Sequence, residues 1–278
     1  MSLQQVTPAS HVLYDNEVLE SKLDDLLETK LNAINLMTVD NTLAQAPGMK
    51  KVVNKYTYEG QMERLAAGKG NETSGIVSFE AEEYPVAVAQ QRFQYQDEQV
   101  MQDPMVLEVG LKGMAAQIVN DLNEQFFLEA AKANIEVTYA GANIAYADVV
   151  DAIAELQGAS VANEDEAGLF LLIAPDVKAG IRKDSDFIHA HQGKILFDGQ
   201  IGSIAGMPVI VSRKVPAGTA YVMTKEAITC FIKKDSEVEQ ERNANTRTNW
   251  IYGRRVYVVA LTDATKIAKI VKKEIVKA

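Results

Sequence analysis

Few groups in this 278-residue chain combine side chains in a way that could do chemistry. His189-Ala190-His191, with Asp186 and Asp198 nearby, offers nitrogen and oxygen donors of the kind a divalent metal takes. The only other histidine is His11 and the only thiol is Cys230, so the set matches no zinc spacing and reads as solvated or structural. Gly68-Lys69-Gly70 superficially resembles a phosphate loop. A Walker loop, however, needs its lysine after the second glycine and before Ser or Thr, and here Gly70 follows the lysine. No Gly-x-Gly-x-x-Gly follows a strand, and no Gly-x-Ser-x-Gly elbow supports a Ser-His-Asp nucleophile. The expectation is no catalytic, cofactor-binding or metal-ligating residue, and a protein that is not an enzyme.

Charge points the same way. The formal net charge is −10, whereas a chain that grips nucleic acid usually carries a basic face. The nearest to one is Lys266 to Lys277, read as an amphipathic tail with five lysines. An acidic chain can still enclose DNA if the facing surface is neutral or repulsive, which suits a container better than a reader. The longest apolar run, Leu169 to Ala174, is far short of a membrane span. Met1-Ser2-Leu3-Gln4-Gln5 has no basic or apolar signal region. A lone cysteine excludes an internal disulfide and fits a reducing cytoplasm; within its strand-like run it reads as a packed thiol.

Periodicity then supplies the elements. Residues 1–14 look like an arm, and Leu19, Leu23, Leu26, Leu27, Leu31 and Ile34 recur at helical steps after Asp15. Beyond Ala46-Pro47-Gly48 the period becomes two: Val52, Asn54, Tyr56 and Tyr58 alternate, as do Tyr84, Val86 and Val88 running on to Phe93 and Tyr95. The polar, Gly-rich stretch from Arg64 to Gly75 between them marks the tip of a long two-stranded hairpin. With so few large apolar residues to pack beneath it, such a hairpin makes sense lying on another chain.

Asp103 as cap and Pro104 at the first turn open the strongest helix, with Leu107, Leu111, Met114, Ile118, Leu122 and Phe126 on one face. Continued to about Asn134, it would be roughly 45 Å long. A compact α/β unit follows, with helices over Tyr146–Gln157 and Pro175–Lys183 and strands over Leu169–Ile173, Val209–Val211 and Ala220–Met223. Strands from Ile228 to Leu261 form the remainder and are expected to pack with the long helix, with Arg242, Arg247, Arg254 and Arg255 expected to pair with Glu237, Glu239 and Glu241.

Read in order, Ala174-Pro175-Asp176, Gly202-Ser203-Ile204-Ala205-Gly206-Met207-Pro208-Val209, Val215-Pro216-Ala217-Gly218-Thr219-Ala220 and Gly253-Arg254-Arg255-Val256 form a sequence of motifs. It resembles the major capsid proteins of tailed bacteriophages, of the Hong Kong 97 fold. The resemblance runs from about Lys50 to Asp263. It implies an α+β fold: N-terminal arm 1–47, extended β-hairpin loop 48–100, peripheral domain 101–145 and 221–278 with spine helix 104–134, and axial domain 146–220.

It further implies a structural protein that self-assembles as hexamers and pentamers into an icosahedral shell, in the bacterial host cytoplasm, around double-stranded phage DNA held without sequence-specific binding. Portal and decoration proteins are the partners implied. The short arm suggests a separate scaffolding protein or none. Some members weld subunits through an isopeptide bond between a loop lysine and a peripheral-domain asparagine. Lys69, with Asn243, Asn245 or Asn249 and Glu239 or Glu241, occupies those regions, although most members form no such bond. An encapsulin-like compartment shell shares the fold and is the nearer alternative; a soluble α/β enzyme is the more distant one.

Overall fold

Two mixed sheets and a separate hairpin account for the strands of the computed structural model, which describes residues 33–65, 68–159, 168–183 and 203–273. In chain order, β1 (Thr38–Asp40), β2 (Lys50–Glu59), β3 (Ile76–Pro85) and β4 (Ala87–Gln96) precede α1 (Asp97–Gln102) and α2 (Met105–Ala130). Then come β5 (Ile135–Tyr139), α3 (Tyr146–Ala159), β6 (Phe170–Ile173) and α4 (Pro175–Ile181). Last are β7 (Ser203–Ile204), β8 (Met207–Val211), β9 (Ala220–Met223), β10 (Ile228–Asn243), β11 (Thr248–Leu261) and β12 (Ile267–Lys272). The architecture is mixed α/β. The leucine stripe from Leu19 to Leu31 lies outside the described residues. Ala33–Leu36, at the end of that stripe, is a short 3-10 turn whose Ala33 N–H donates to Asn123 Oδ1 at 2.8 Å.

The long helix forms as its sequence predicts. Asp103 is extended (φ −146°, ψ 106°) and its Oδ1 accepts the Met105 N–H at 2.9 Å, while Pro104 already has helical dihedrals. All six residues of the expected apolar face are buried. At 26 residues the helix is about 39 Å long, ending at Ala130 rather than near Asn134. Its first half packs with Tyr95, Val238 and Ile251 on the four-stranded sheet; Leu122, Phe126 and Ala130 enter the main core. Close approach to the sheet uses glycine twice. A Cβ on Gly110 would collide with the Phe93 ring, and one on Gly253 with the Met114 thioether.

The four-stranded sheet runs β1-β10-β11-β4, and the six-stranded sheet runs β5-β12-β9-β6-β8-β7. Three expectations change here. The return arm of the hairpin does not run through to Tyr95: β3 ends at Pro85, and β4 departs to pair with β11. Proline has no N–H to continue a ladder, which suits the break. Within the lysine-rich tail, residues 267–272 are instead a central strand, β12, parallel to β5 and antiparallel to β9, with Ile267, Ala268 and Ile270 buried. Lys269, within the strand and half-buried, pairs with Glu136 of β5 at 3.2 Å. Sheet membership also cuts across the expected divisions at 145/146 and 220/221, because β5, β9 and β12 share one sheet with β6, β7 and β8.

Two of the sequence motifs meet in space. Asp176, at the start of α4, accepts the Gly218 N–H at 2.7 Å, and Tyr139 donates its hydroxyl to the Gly218 carbonyl at 3.0 Å. Gly218 sits at φ +70°, a conformation glycine adopts without a Cβ penalty. Asp176→Ala should cost about 1 kcal/mol, the ordinary worth of such a bond, and speed amide exchange at Gly218. Unchanged exchange there would dissociate the two motifs.

Candidate assembly surface

Of the groups that could have carried chemistry, His11, His189, His191, Asp186, Asp198 and residues 199–202 lie outside the described residues. Among the described residues, no three His, Cys, Asp or Glu side chains are grouped to hold a metal. Cys230 is fully buried, and burial pushes its thiol up to about 11, away from nucleophilic use. The exposed side chains that stand out belong to the hairpin.

β2 and β3 pair without interruption from Lys50↔Pro85 to Glu59↔Ile76. Hairpin alternation would normally hide one face, yet Val52, Tyr56, Tyr58, Ile76, Val77 and Phe79 are all exposed; at the hairpin's base Val53 and Tyr84 pack on the cluster of Leu43, Val86 and Phe231. Tyr56 and Phe79 stand opposite one another with ring centroids 6.1 Å apart, and each is about two-thirds exposed (69% and 67%). Cross-strand pairs Lys50–Glu83, at 2.7 Å, and Lys55–Glu82 help fix the register. The hairpin is thus ordered locally and apolar outwardly.

A carboxylate holds its tip. Glu63 accepts the Glu72 N–H at 2.9 Å, the Thr73 N–H at 2.8 Å and the Thr73 hydroxyl. The Thr73 hydroxyl foremost, with the Glu72 N–H, lowers the Glu63 pKa below its ordinary 4.5. A depressed carboxylate contributes its stabilisation above the unfolded value and loses it as pH falls through the folded one. The tip should therefore keep its structure at neutral pH and loosen only below about 4.5. Thr73 chemical shifts followed by NMR check this; a midpoint above 4.5 would contradict it. Lys69 is exposed in this tip and makes no hydrogen bond or ion pair among the described residues.

The far end of the four-stranded sheet is polar. Arg254 pairs with Glu237 as expected, but the other arginines do not take the expected glutamates. Arg242 binds Asp97 at 2.8 Å, Arg247 reaches Glu98 at 3.4 Å, and Arg255 is buried and pairs with Asp235 at 2.6 Å. Asp97 also accepts the Asn249 amide at 2.6 Å, so the Arg242 and Asn249 hydrogen bonds together lower its pKa. Of the three asparagines, Asn249 is therefore buried and engaged. Asn243 and Asn245 are exposed at the β10–β11 turn, where Asn243 Oδ1 accepts the Asn245 N–H at 3.0 Å. Asp97, Glu98 and Asp235 were not anticipated as partners. The sole local signal was the acidic pair opening α1.

Comparison with known proteins bears on the family and the fold. A family model described as phage capsid protein matches residues 80–270. The chain is 26% identical over 278 residues, covering 97% of both sequences, to the major capsid protein of Staphylococcus phage phiMR11. Its fold is similar to the mature capsid of bacteriophage PhiM1, with TM-score 0.69, 10% identity, and 99% of this chain and 92% of that chain covered. It is also similar to a virus-like particle from Pyrococcus furiosus, with TM-score 0.61, 13% identity, and 91% and 98% covered.

Proposed function

Because this chain belongs to the phage capsid protein family, we propose that it is the major capsid protein of a tailed phage, a structural subunit that builds the head shell of the virion. The observation that carries this reading is the hairpin: ten paired residues per strand, docked at its base through Val53 and Tyr84, with the aromatic side chains of its outer half exposed. A lone subunit gains little from such an element, whereas a neighbour in a shell can cover it. Assembly proceeds through hexamers and pentamers whose many modest contacts sum to a closed icosahedral shell. The net charge of −10 suits enclosure of double-stranded DNA without sequence-specific binding. A portal, a decoration protein and a separate scaffolding protein are the partners such a shell would use, and the bacterial host cytoplasm is where it would assemble.

Within the subunit, we assign the extended loop to β2 and β3 and the spine to α2. The peripheral unit is the four-stranded sheet under α2, and the axial unit is built on the six-stranded sheet with α3 and α4. The structural likeness also includes the Pyrococcus particle, so the fold by itself does not separate a phage head from other shells. The family match and the full-length phage relative favour the phage head. Electron microscopy of the purified protein tests the proposal. Uniform shells, or hexameric and pentameric rings, are the expected result; a stable monomer at all concentrations would overturn it.

A further inference from the structure

One long sheet edge in this chain lacks the devices that usually blunt such edges. β4 pairs with β11 over ten consecutive residues without a register shift, and no strand lies on its other side among the described residues. Its sequence, Ala-Val-Ala-Gln-Gln-Arg-Phe-Gln-Tyr-Gln, contains no proline, no lysine and a single charge, Arg92. The other edges of the two larger sheets, β1, β5 and β7, are three, five and two residues long. A long, unprotected edge is a template for a strand from elsewhere. Beside it, towards α2, runs a groove of about 400 Å³ lined by Val88, Ala89, Gln90, Gln91, Gln117, Ile118 and Asp121. Gln91 Oε1 is buried there without a hydrogen-bond partner among the described residues, an acceptor left for an incoming donor.

The hairpin carries an edge that matches. β2 is guarded by Lys50, Lys51 and Lys55. β3 is also ten residues long and has no lysine, but carries Glu80, Glu82 and Glu83. Lys55 and Lys50 hold Glu82 and Glu83 across the hairpin. Glu80 on β3 and Arg92 on β4 are each exposed and make no ion pair among the described residues. Length, absence of edge lysines and opposite charge therefore select the same two strands.

We propose that β3 of one copy adds to the β4 edge of the next as a fifth strand, with Glu80 beside Arg92. This rests on the shell reading above and specifies the contact by which the hairpin is covered. Main-chain hydrogen bonds supply the affinity, and the charge pair sets register and partner choice. The occupant is a second copy of this chain, because β3 is the strand that answers the β4 edge in length and in charge.

The test uses the full chain once electron microscopy has established that it forms shells. Glu80→Arg and Arg92→Glu should each slow assembly about fivefold or more, and the double exchange should restore it to within about threefold. The pair Glu80→Cys with Arg92→Cys should give a disulfide ladder on non-reducing gels, which neither single variant gives, since opposed strand residues have Cβ atoms about 5 Å apart. Hydrogen exchange should slow over 87–96 on assembly. Shells without a ladder, and with β4 exchange equal in subunit and shell, would overturn the proposal. Protection of β4 with neither ladder nor charge-exchange rescue would assign the edge to another segment and overturn the hairpin as its occupant. If the unaltered chain forms no shells, the shell reading fails first and this contact fails with it.

Discussion

Tyr56→Ser combined with Phe79→Ser should leave a folded subunit that no longer assembles. Both rings stand largely in solvent, and neither belongs to a core cluster, so the melting temperature should move by no more than about 2 °C. The effect appears only when the hairpin is covered. Burying about 100 Å² more of each ring at ~25 cal/mol per Å² amounts to roughly 5 kcal/mol per hairpin before the costs of association. Losing that at every subunit contact is multiplied around a closed shell. Sedimentation should find only small species at concentrations where the parent forms shells, while circular dichroism remains unchanged. Normal shells from the double variant would remove the hairpin from the assembly surface. Tyr58 is left in place because its ring packs over Gly60 and Gly75 at the tip, so changing it would disturb the tip itself.

Gly253→Val should act in the opposite compartment, on the subunit's own stability. The added Cβ would enter the space of the Met114 thioether, and Met114 is 1% exposed, with nowhere to swing. Overpacking of this kind costs about 1–3 kcal/mol, less whatever a β-branched residue returns in a strand. The melting temperature should fall by several degrees. Met114→Ala alone leaves a cavity and destabilises by about 2–5 kcal/mol. Together the two changes should cost clearly less than their sum, since the intruding methyls and the vacated space coincide. Strict additivity in thermal melts would mean that α2 does not press on Gly253.

What the sequence revealed depended on whether the signal was local. The α2 face was legible because a cap, a proline and six apolar residues at helical spacing agree over one continuous stretch. The β2–β3 hairpin was legible from alternation on both sides of a glycine-rich tip. Alternation continues past Pro85, however, and names no partner, so the transfer of the chain from β3 to β4 was hidden. The β12 strand was hidden for a different reason. Five lysines from Lys266 to Lys277 suggested an amphipathic tail, whereas Ile267, Ala268 and Ile270 decide the burial of residues 267–272. Pairs such as Arg242 with Asp97 join residues 145 positions apart, which no spacing rule reaches. Gly253 was noticed as part of a motif, but a glycine in sequence does not say which side chain needs the room.

The position of β12 bears on quality control during synthesis. It lies between β5 and β9, so β5 has no direct partner in the remainder of its sheet until residues 267–272 are in place. A chain cut short by premature termination between Leu261 and Ile267 carries the hairpin and every strand of the four-stranded sheet, yet it cannot close the larger one. Such truncated products should fail to fold their larger sheet, so that completion of the chain becomes a condition for a competent subunit.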